Sequence, residues 1–137
     1  MSETAPSASG TNRSAGPAPD VVRSFLDLLQ AGDVDRASEL LAPDVRYINV
    51  SLPTIRGRER VRQVLGRAFG MSAAGFEVYM HRISTDGDGT VLTERTDVLR
   101  YGPVRVQIWV CGRFDVQDGR IVMWKDYFDW LNVVMAT

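Results

Sequence analysis

Apolar residues in the first half of the chain recur with the spacing of amphipathic helices. The clearest run places them at i, i+4, i+7 and i+8, at Val21, Phe25, Leu28 and Leu29. It predicts a helix that starts with Asp20 as its N-cap and ends before Gly32. A short helix with Asp33 as its cap, a strand over residues 45–50 and a third helix over residues 59–69 are expected to follow.

The second half of the chain shows the alternation of apolar and polar residues that is typical of strands. Four segments predict strands, over residues 76–85, 91–101, 104–116 and 120–130, and short connectors rich in Gly and Asp separate them. Connectors this short join antiparallel neighbours only. The order of elements predicts the α+β class, with a strongly curved, mostly antiparallel sheet that wraps around the N-terminal helices and leaves a pocket between them.

The first residues of the chain have a different composition. Residues 1–19 consist mainly of Ser, Ala, Pro, Gly and Thr and contain no apolar run, so we expect them to form a disordered tail. Residues 20–137 then form a single domain, which suits a chain of 137 residues. Neither a signal-peptide pattern nor an apolar segment of roughly 18 residues occurs, so we expect a cytoplasmic protein that does not bind a membrane.

The composition narrows the chemistry that the protein can perform. Its 16 basic and 17 acidic side chains give a net charge of -1, which offers no electrostatic basis for binding nucleic acid. Cys111 and His81 are the only residues of their kinds, which excludes an intramolecular disulfide and argues against a metal site or a His-dependent triad. If the protein is an enzyme, we expect its acid and base to be carboxylates.

Charged residues interrupt the apolar face of the predicted sheet. Even-numbered residues of the predicted strand over residues 104–116 are mostly apolar and are expected to face inward. If residues 102–103 form a two-residue turn, Asp97 lies opposite Ile108 on this face. Arg95 then lies opposite Val110 and shares the inner face with Asp97. Burial of such charges is expensive, and proteins avoid it unless the groups are paired or used.

The position of Asp126 depends on the next connector. A three-residue loop over residues 117–119 would pair Asp126 with Val110, so that Arg95, Val110 and Asp126 form one row. A two-residue turn would place Asp126 on the opposite face.

Further residues extend this candidate site. Tyr47 and Asn49 lie two residues apart on a separate strand, so their side chains point the same way. If that strand borders the same pocket, five polar groups converge there. Trp124 and Phe128 would share the face of Asp126, in alternation along the last predicted strand.

These residues carry a resemblance to the limonene-1,2-epoxide hydrolase family, in particular to its actinobacterial epoxide hydrolases. The motifs that carry it lie at residues 47–49 (YIN), 92–97 (LTERTD), 106–112 (VQIWVCG) and 124–129 (WKDYFD). The resemblance runs from about Val21 to Trp130. It implies the cone-shaped α+β fold that ketosteroid isomerase and nuclear transport factor 2 share, with a mixed sheet and an apolar pocket.

The resemblance also implies a reaction, in which water is added in one step to a lipophilic epoxide, either a terpene or a cyclic epoxide. The product is a vicinal diol, and no covalent intermediate, cofactor or metal takes part. By position, Asp126 resembles the general base, Asp97 the general acid, and Arg95 the bridge between them. Tyr47 and Asn49 resemble the residues that hold the attacking water. The residues expected to bind the substrate are Leu29, Leu99, Ile108, Val110, Trp124 and Phe128.

Other interpretations stay open. The fold also suits an isomerase or cyclase of the ketosteroid isomerase and polyketide cyclase type, although a central arginine fits such a site poorly. It suits a non-catalytic small-ligand binding module as well. Arg95 and Asp97 can form an ordinary ion pair within a strand, and Asp126 can cap a turn.

The outer face of the predicted sheet is not wholly polar, because Trp109 and Cys111 lie on its odd-numbered side. This pattern predicts a homodimer that forms through the outer face of the sheet.

Overall fold

Three helices and one sheet make up the part of the chain that the structure describes. The computed structural model describes residues 17–69, 74–128 and 134–136, so most of the tail predicted over residues 1–19 lies outside the described residues. The helices are α1 (Ala18–Gln30), α2 (Val34–Ser38) and α3 (Arg58–Phe69). The strands are β1 (Leu41–Asn49), β2 (Ile55–Arg56), β3 (Ala74–Thr85), β4 (Thr90–Tyr101), β5 (Val104–Gln117), β6 (Arg120–Tyr127) and β7 (Val134–Ala136). None of these helices is long and apolar enough to cross a membrane.

Helix α1 begins three residues earlier than predicted. Asp20 lies inside the first turn and is not the N-cap, because the helix starts at Ala18, directly after Pro17. Pro19 suits this first turn, since the backbone N–H that proline lacks would have no partner there. The predicted boundary between tail and domain therefore falls inside α1.

The strands form one mixed sheet with the order β2-β1-β6-β5-β4-β3, and β7 pairs with a different part of β5 from β6. Strands β1 and β6 are parallel, whereas the other paired strands are antiparallel. This arrangement confirms the predicted α+β class with a mixed, mostly antiparallel sheet. The predicted strand over residues 120–130 is too long, because β6 ends at Tyr127, and residues 129 and 130 lie outside the described residues.

Helix α1 packs its apolar side against the inner face of the sheet, where it contacts β3, β4, β5 and β6. Val22, Phe25 and Leu29 of this helix are buried. The ring of Phe25 meets that of Trp124 edge to face, with 5.1 Å between the ring centroids. The hydrophobic core therefore lies between α1 and the sheet, and it includes the strand that carries Asp126.

The register of β4, β5 and β6 decides which side chains meet on the inner face. Arg95 pairs with Val110 across β4 and β5, as predicted. The predicted pairing of Val110 with Asp126 is wrong, because Asp126 pairs with Gly112. Arg95, Val110 and Asp126 therefore do not form one row.

The connection between β5 and β6 is a two-residue turn rather than the three-residue loop. Asp118 and Gly119 have φ angles of +53° and +77°, and Gln117 pairs directly with Arg120. Positive φ at both central residues is the geometry that suits a tight hairpin between twisted strands. By itself, this turn would place Asp126 on the outer face of the sheet.

A β-bulge in β6 returns Asp126 to the inner face. Val116 pairs with Ile121, whereas the next residue along β5, Asp115, pairs with Met123, so Val122 is an extra residue on β6. One extra residue reverses the faces of every residue after it. Asp126 consequently faces inward, opposite Gly112, which lies two residues along β5 from the Val110 partner that a three-residue loop would have given it.

Two glycine substitutions are expected to change the free energy of unfolding in opposite directions. Gly66 lies inside α3 with no atom within 4 Å of an added Cβ, so Gly66→Ala is expected to raise the free energy of unfolding by about 1 kcal/mol. Gly119→Ala is expected to lower it by about 1 kcal/mol, because a Cβ is unfavourable at positive φ. Urea unfolding of both variants measures the changes, and shifts of the same sign would contradict this description.

Candidate active site

The guanidinium group of Arg95 connects two carboxylates on the inner face of the sheet. Its Nε donates to Oδ1 of Asp97 at 2.9 Å, and its Nη2 donates to Oδ2 of Asp97 at 3.3 Å and to Oδ2 of Asp126 at 2.9 Å. The remaining nitrogen, Nη1, donates to Oγ1 of Thr93 at 3.0 Å. Every nitrogen of the guanidinium therefore has an acceptor, although Arg95 is 0% exposed.

The charges of this trio, Arg95 with Asp97 and Asp126, favour one shared proton. Burial raises the pKa of Asp97 above its ordinary value, the Arg95 guanidinium opposes that rise, and the negative charge of Asp126 adds to it. Burial would lower the pKa of Arg95, but the two carboxylates raise it overall, so the guanidinium keeps its charge. With a proton on Asp97, the trio is electrically neutral.

Asp126 is held from its other side by Trp124, whose indole Nε1 donates to Oδ1 of Asp126 at 2.9 Å. The Trp124 ring also stacks on the ring of Tyr47, with 4.0 Å between the centroids and 18° between the planes. The parallel pairing of β1 with β6 sets Tyr47 beside Trp124 and Asn49 beside Asp126. Three strands therefore bring together the five polar residues predicted for the site, which are Tyr47, Asn49, Arg95, Asp97 and Asp126.

Tyr47 is fixed in its protonated form. Burial raises the pKa of its phenol above the ordinary value, and the negative charge of Asp126 raises it further. A phenol that keeps its proton can donate a hydrogen bond to a water molecule, and the side-chain oxygen of Asn49 can accept one.

A cavity of about 200 Å³ opens in front of the carboxylates. Its lining combines the predicted polar residues with apolar side chains, at Tyr47, Asn49, Leu52, Phe69, Phe76, Asp97, Leu99, Ile108, Val110, Asp126 and Phe128. Arg95 is absent from this lining and lies behind the carboxylates.

Four of the six residues predicted to bind the substrate line this cavity, namely Leu99, Ile108, Val110 and Phe128. Leu29 and Trp124 do not line it. Leu29 is buried in the core between α1 and the sheet, and Trp124 is engaged with Asp126 and Tyr47. Neither position supports the prediction that these two residues contact the substrate.

Sequence reasoning missed several residues of the site. Gly112 could have been found, because a glycine inside a strand often marks a place where another group approaches closely. Thr93 lies two residues before Arg95 on the same face of β4 and could have been found from that spacing. Phe69 and Phe76 belong to α3 and β3, whose relative placement no periodicity specifies.

The described residues contain no group of three or more His, Cys, Asp or Glu side chains that could hold a metal ion. The two carboxylates of the trio are bridged by Arg95 instead.

The raised pKa of Asp97 predicts how stability changes with pH when this residue is replaced. Between the unfolded pKa, about 3.9, and the raised folded value, the folded protein binds more protons than the unfolded chain, so its stability falls as pH rises. Asp97→Asn lacks this proton. The free energy of unfolding of Asp97→Asn, relative to wild type, is therefore expected to increase with pH through that window and then level off.

Urea unfolding at a series of pH values measures this difference. Asp44→Asn, which replaces an exposed carboxylate, serves as the control for the removal of one carboxylate from the protein. A difference for Asp97→Asn that falls with pH would show that Asp97 ionises more readily in the folded protein.

Comparison with known proteins agrees with this geometry. Residues 17–137 match the family model described as the limonene-1,2-epoxide hydrolase catalytic domain. The chain is 52% identical to epoxide hydrolase EphG of Mycobacterium tuberculosis over 108 residues, which are 79% of this chain and 70% of that protein.

Solved structures show the same relationship. A structure described as an LEH-like epoxide hydrolase of M. tuberculosis is 49% identical, with a TM-score of 0.78 over 84% of each chain. An NTF2-like protein of unknown function from Cytophaga hutchinsonii is 18% identical, with a TM-score of 0.69 over 82% of this chain and 90% of that one. The second likeness shows the fold alone.

Proposed function

The chain belongs to the limonene-1,2-epoxide hydrolase family and is an epoxide hydrolase, and we propose that it adds water to a lipophilic epoxide in a single step. The observation that supports this mechanism is the pair of carboxylates, Asp97 and Asp126, which share one guanidinium and face one cavity. The product of such a reaction is a vicinal diol, and no covalent intermediate forms.

Asp126 acts as the general base in this proposal. Tyr47 and Asn49 hold a water molecule beside it, and Asp126 removes a proton from this water as the water oxygen attacks a carbon of the epoxide ring. Trp124 and Arg95 each donate a hydrogen bond to Asp126, and these two bonds fix the orientation of the carboxylate toward the cavity.

Asp97 acts as the general acid. As the bond between the attacked carbon and the ring oxygen breaks, the proton on Asp97 passes to that oxygen, which avoids an alkoxide leaving group. The reaction leaves Asp126 protonated and Asp97 ionised, and the trio returns to its starting state when the proton moves back to Asp97. Transfers of this kind each contribute roughly a hundred-fold or more to the rate.

The substrate class follows from the walls of the cavity. Phe69, Phe76, Leu99 and Phe128 give it an apolar lining, which favours a small lipophilic epoxide such as a terpene or cyclic epoxide. All the proton transfers use side chains of the protein, so the proposed reaction requires no cofactor. The cytoplasmic location expected from the sequence stays a prediction.

Oxygen-18 labelling tests the mechanism, with limonene oxide and cyclohexene oxide as substrates. In a single turnover in oxygen-18 water, the diol is expected to carry one labelled oxygen. Asp97→Asn and Asp126→Asn are each expected to lower kcat by roughly a hundred-fold or more. Asp115→Asn, which replaces a β5 carboxylate paired with Arg113, is the control and is expected to keep the wild-type rate. Label that appears first in the protein would rule out direct attack by water.

The outer face of the sheet supports the proposed homodimer. Tyr79, Leu92, Trp109 and Tyr127 lie on the side of the sheet that faces away from the cavity, and each is between 43% and 53% exposed. A cluster of large apolar side chains on one face is typical of a surface that a partner covers. The two-fold pairing of identical faces is the commonest arrangement for such a surface.

Light scattering coupled to size exclusion measures the oligomeric state. The wild type is expected to be a dimer and Trp109→Arg a monomer, because the new charge would be buried at the interface. Val64→Arg, at an exposed apolar position on α3, is expected to remain a dimer. A monomeric wild type would exclude this assembly.

A further inference from the structure

Gly112 lies between the two carboxylate-bearing strands, in the middle of β5. It pairs with Thr93 on β4 and with Asp126 on β6. To reach Asp126 from β4, the side chain of Arg95 has to cross the inner face of β5, because β5 separates those two strands. The residue that pairs with Asp126 is therefore the one over which the guanidinium passes.

A side chain at this position would occupy the place of the guanidinium. A Cβ added to Gly112 would stand 2.8 Å from Oγ1 of Thr93 and 3.0 Å from Oδ1 of Asp126, and closer still to Nη1 of Arg95. All three atoms belong to the hydrogen-bond network of the trio. The φ angle of Gly112 is not in the left-handed region, so space, rather than backbone conformation, is what the glycine provides.

Thr93 fixes the rotation of the same guanidinium. Its Oγ1 accepts from Nη1, the one nitrogen of Arg95 that no carboxylate contacts. Thr93 is 4% exposed, so water could not easily take the place of its hydroxyl group. Without this acceptor, Nη1 would be a buried donor with no partner. The guanidinium could then rotate to give Nη1 a new acceptor, and it would lose one of its hydrogen bonds to a carboxylate.

We propose that Gly112 and Thr93 are positioning residues for the reaction. Because Gly112 has no side chain, it leaves free the space that the Arg95 guanidinium occupies, and the hydroxyl group of Thr93 holds the guanidinium in that space. Neither residue touches the substrate. Their effect reaches the reaction through Arg95, which sets the distance and orientation of Asp97 and Asp126. This inference rests on the proposed function of the trio.

Gly112→Ala is the direct test, with Gly75→Ala as its matched control. Gly75 is also a strand glycine, but an added Cβ would make only ordinary contacts, at 3.6 Å, with the side chain of Arg100. Gly112→Ala is expected to lower kcat by roughly tenfold to a hundred-fold, because small displacements of catalytic groups are costly. Its KM is expected to stay near the wild-type value, and Gly75→Ala is expected to match wild type in both parameters.

The pH–rate profile separates positioning from a loss of folded protein. A displaced guanidinium stabilises both carboxylate anions less, so both limbs of the profile are expected to move to higher pH in Gly112→Ala. A decrease in the amount of folded enzyme would scale the profile without moving it. An unmoved profile, or a kcat equal to that of Gly75→Ala, would overturn the role of Gly112.

Two Thr93 variants keep the proposal testable if Gly112→Ala fails to fold. Thr93→Val preserves the shape of the side chain and removes the acceptor, so it is expected to lower kcat and to shift the pH profile in the same direction. Thr93→Ser keeps the hydroxyl group and is expected to restore both toward wild type. Equal behaviour of the two Thr93 variants would overturn the role of the hydroxyl group.

A measurement without substrate distinguishes failure of this proposal from failure of the proposed function. In nitrogen-15 NMR spectra, the Nε–H signal of Arg95, identified by its loss in Arg95→Lys, is expected to move in Gly112→Ala and Thr93→Val. It is expected to stay in place in Gly75→Ala and Thr93→Ser. If the wild type hydrolyses no epoxide but these signals move, the positioning roles of Gly112 and Thr93 are supported and the proposed reaction is wrong. If the wild type is active and the signals do not move, the proposed positioning roles are wrong.

Discussion

The buried contact of the Arg95 guanidinium with Asp97 and Asp126 is the interaction on which the rest of the site depends. A charge that leaves water destabilises the protein by several kcal/mol unless partners of opposite charge meet it with good geometry. Here one partner lies two residues along the same strand and the other lies two strands away. The same contact holds both carboxylates at one cavity. Burial, which the guanidinium only partly opposes, raises the pKa of Asp97, and acid and base chemistry at a single pH requires one carboxyl group that is protonated more readily than the other.

Local features of the sheet, rather than regular strand pairing alone, bring the groups of this contact together. The bulge at Val122 turns Asp126 inward after a turn that would otherwise have turned it outward. The glycine at position 112 leaves the inner face of β5 open where the guanidinium crosses it. The parallel pairing of β1 with β6 then sets Tyr47 and Asn49 beside this carboxylate. The bulge and the glycine interrupt an otherwise regular strand, and together with the parallel pairing they assemble the proposed site.

The sequence allowed prediction of those parts of the fold that depend on periodicity and simple turns. The fold class and the pairing of Arg95 with Val110 follow from alternation and a two-residue turn, and both are confirmed. The predicted pairing of Asp126 was wrong because the turn after β5 has two residues rather than three, and because a bulge is a single inserted residue that leaves no periodic signal. Leu29 shows a second limit, since an amphipathic pattern identifies a buried face but does not distinguish core from cavity wall.

In the proposed reaction, Asp97 carries the proton of the trio while Asp126 stays available as the base. A pH titration followed by carbon-13 NMR of the side-chain carboxyl groups measures which of the two carries the proton, with the two signals assigned by Asp97→Asn and Asp126→Asn. As the pH is lowered, the Asp97 signal is expected to report protonation first, because burial raises its pKa. Protonation of Asp126 before Asp97 would contradict the assignment of acid and base.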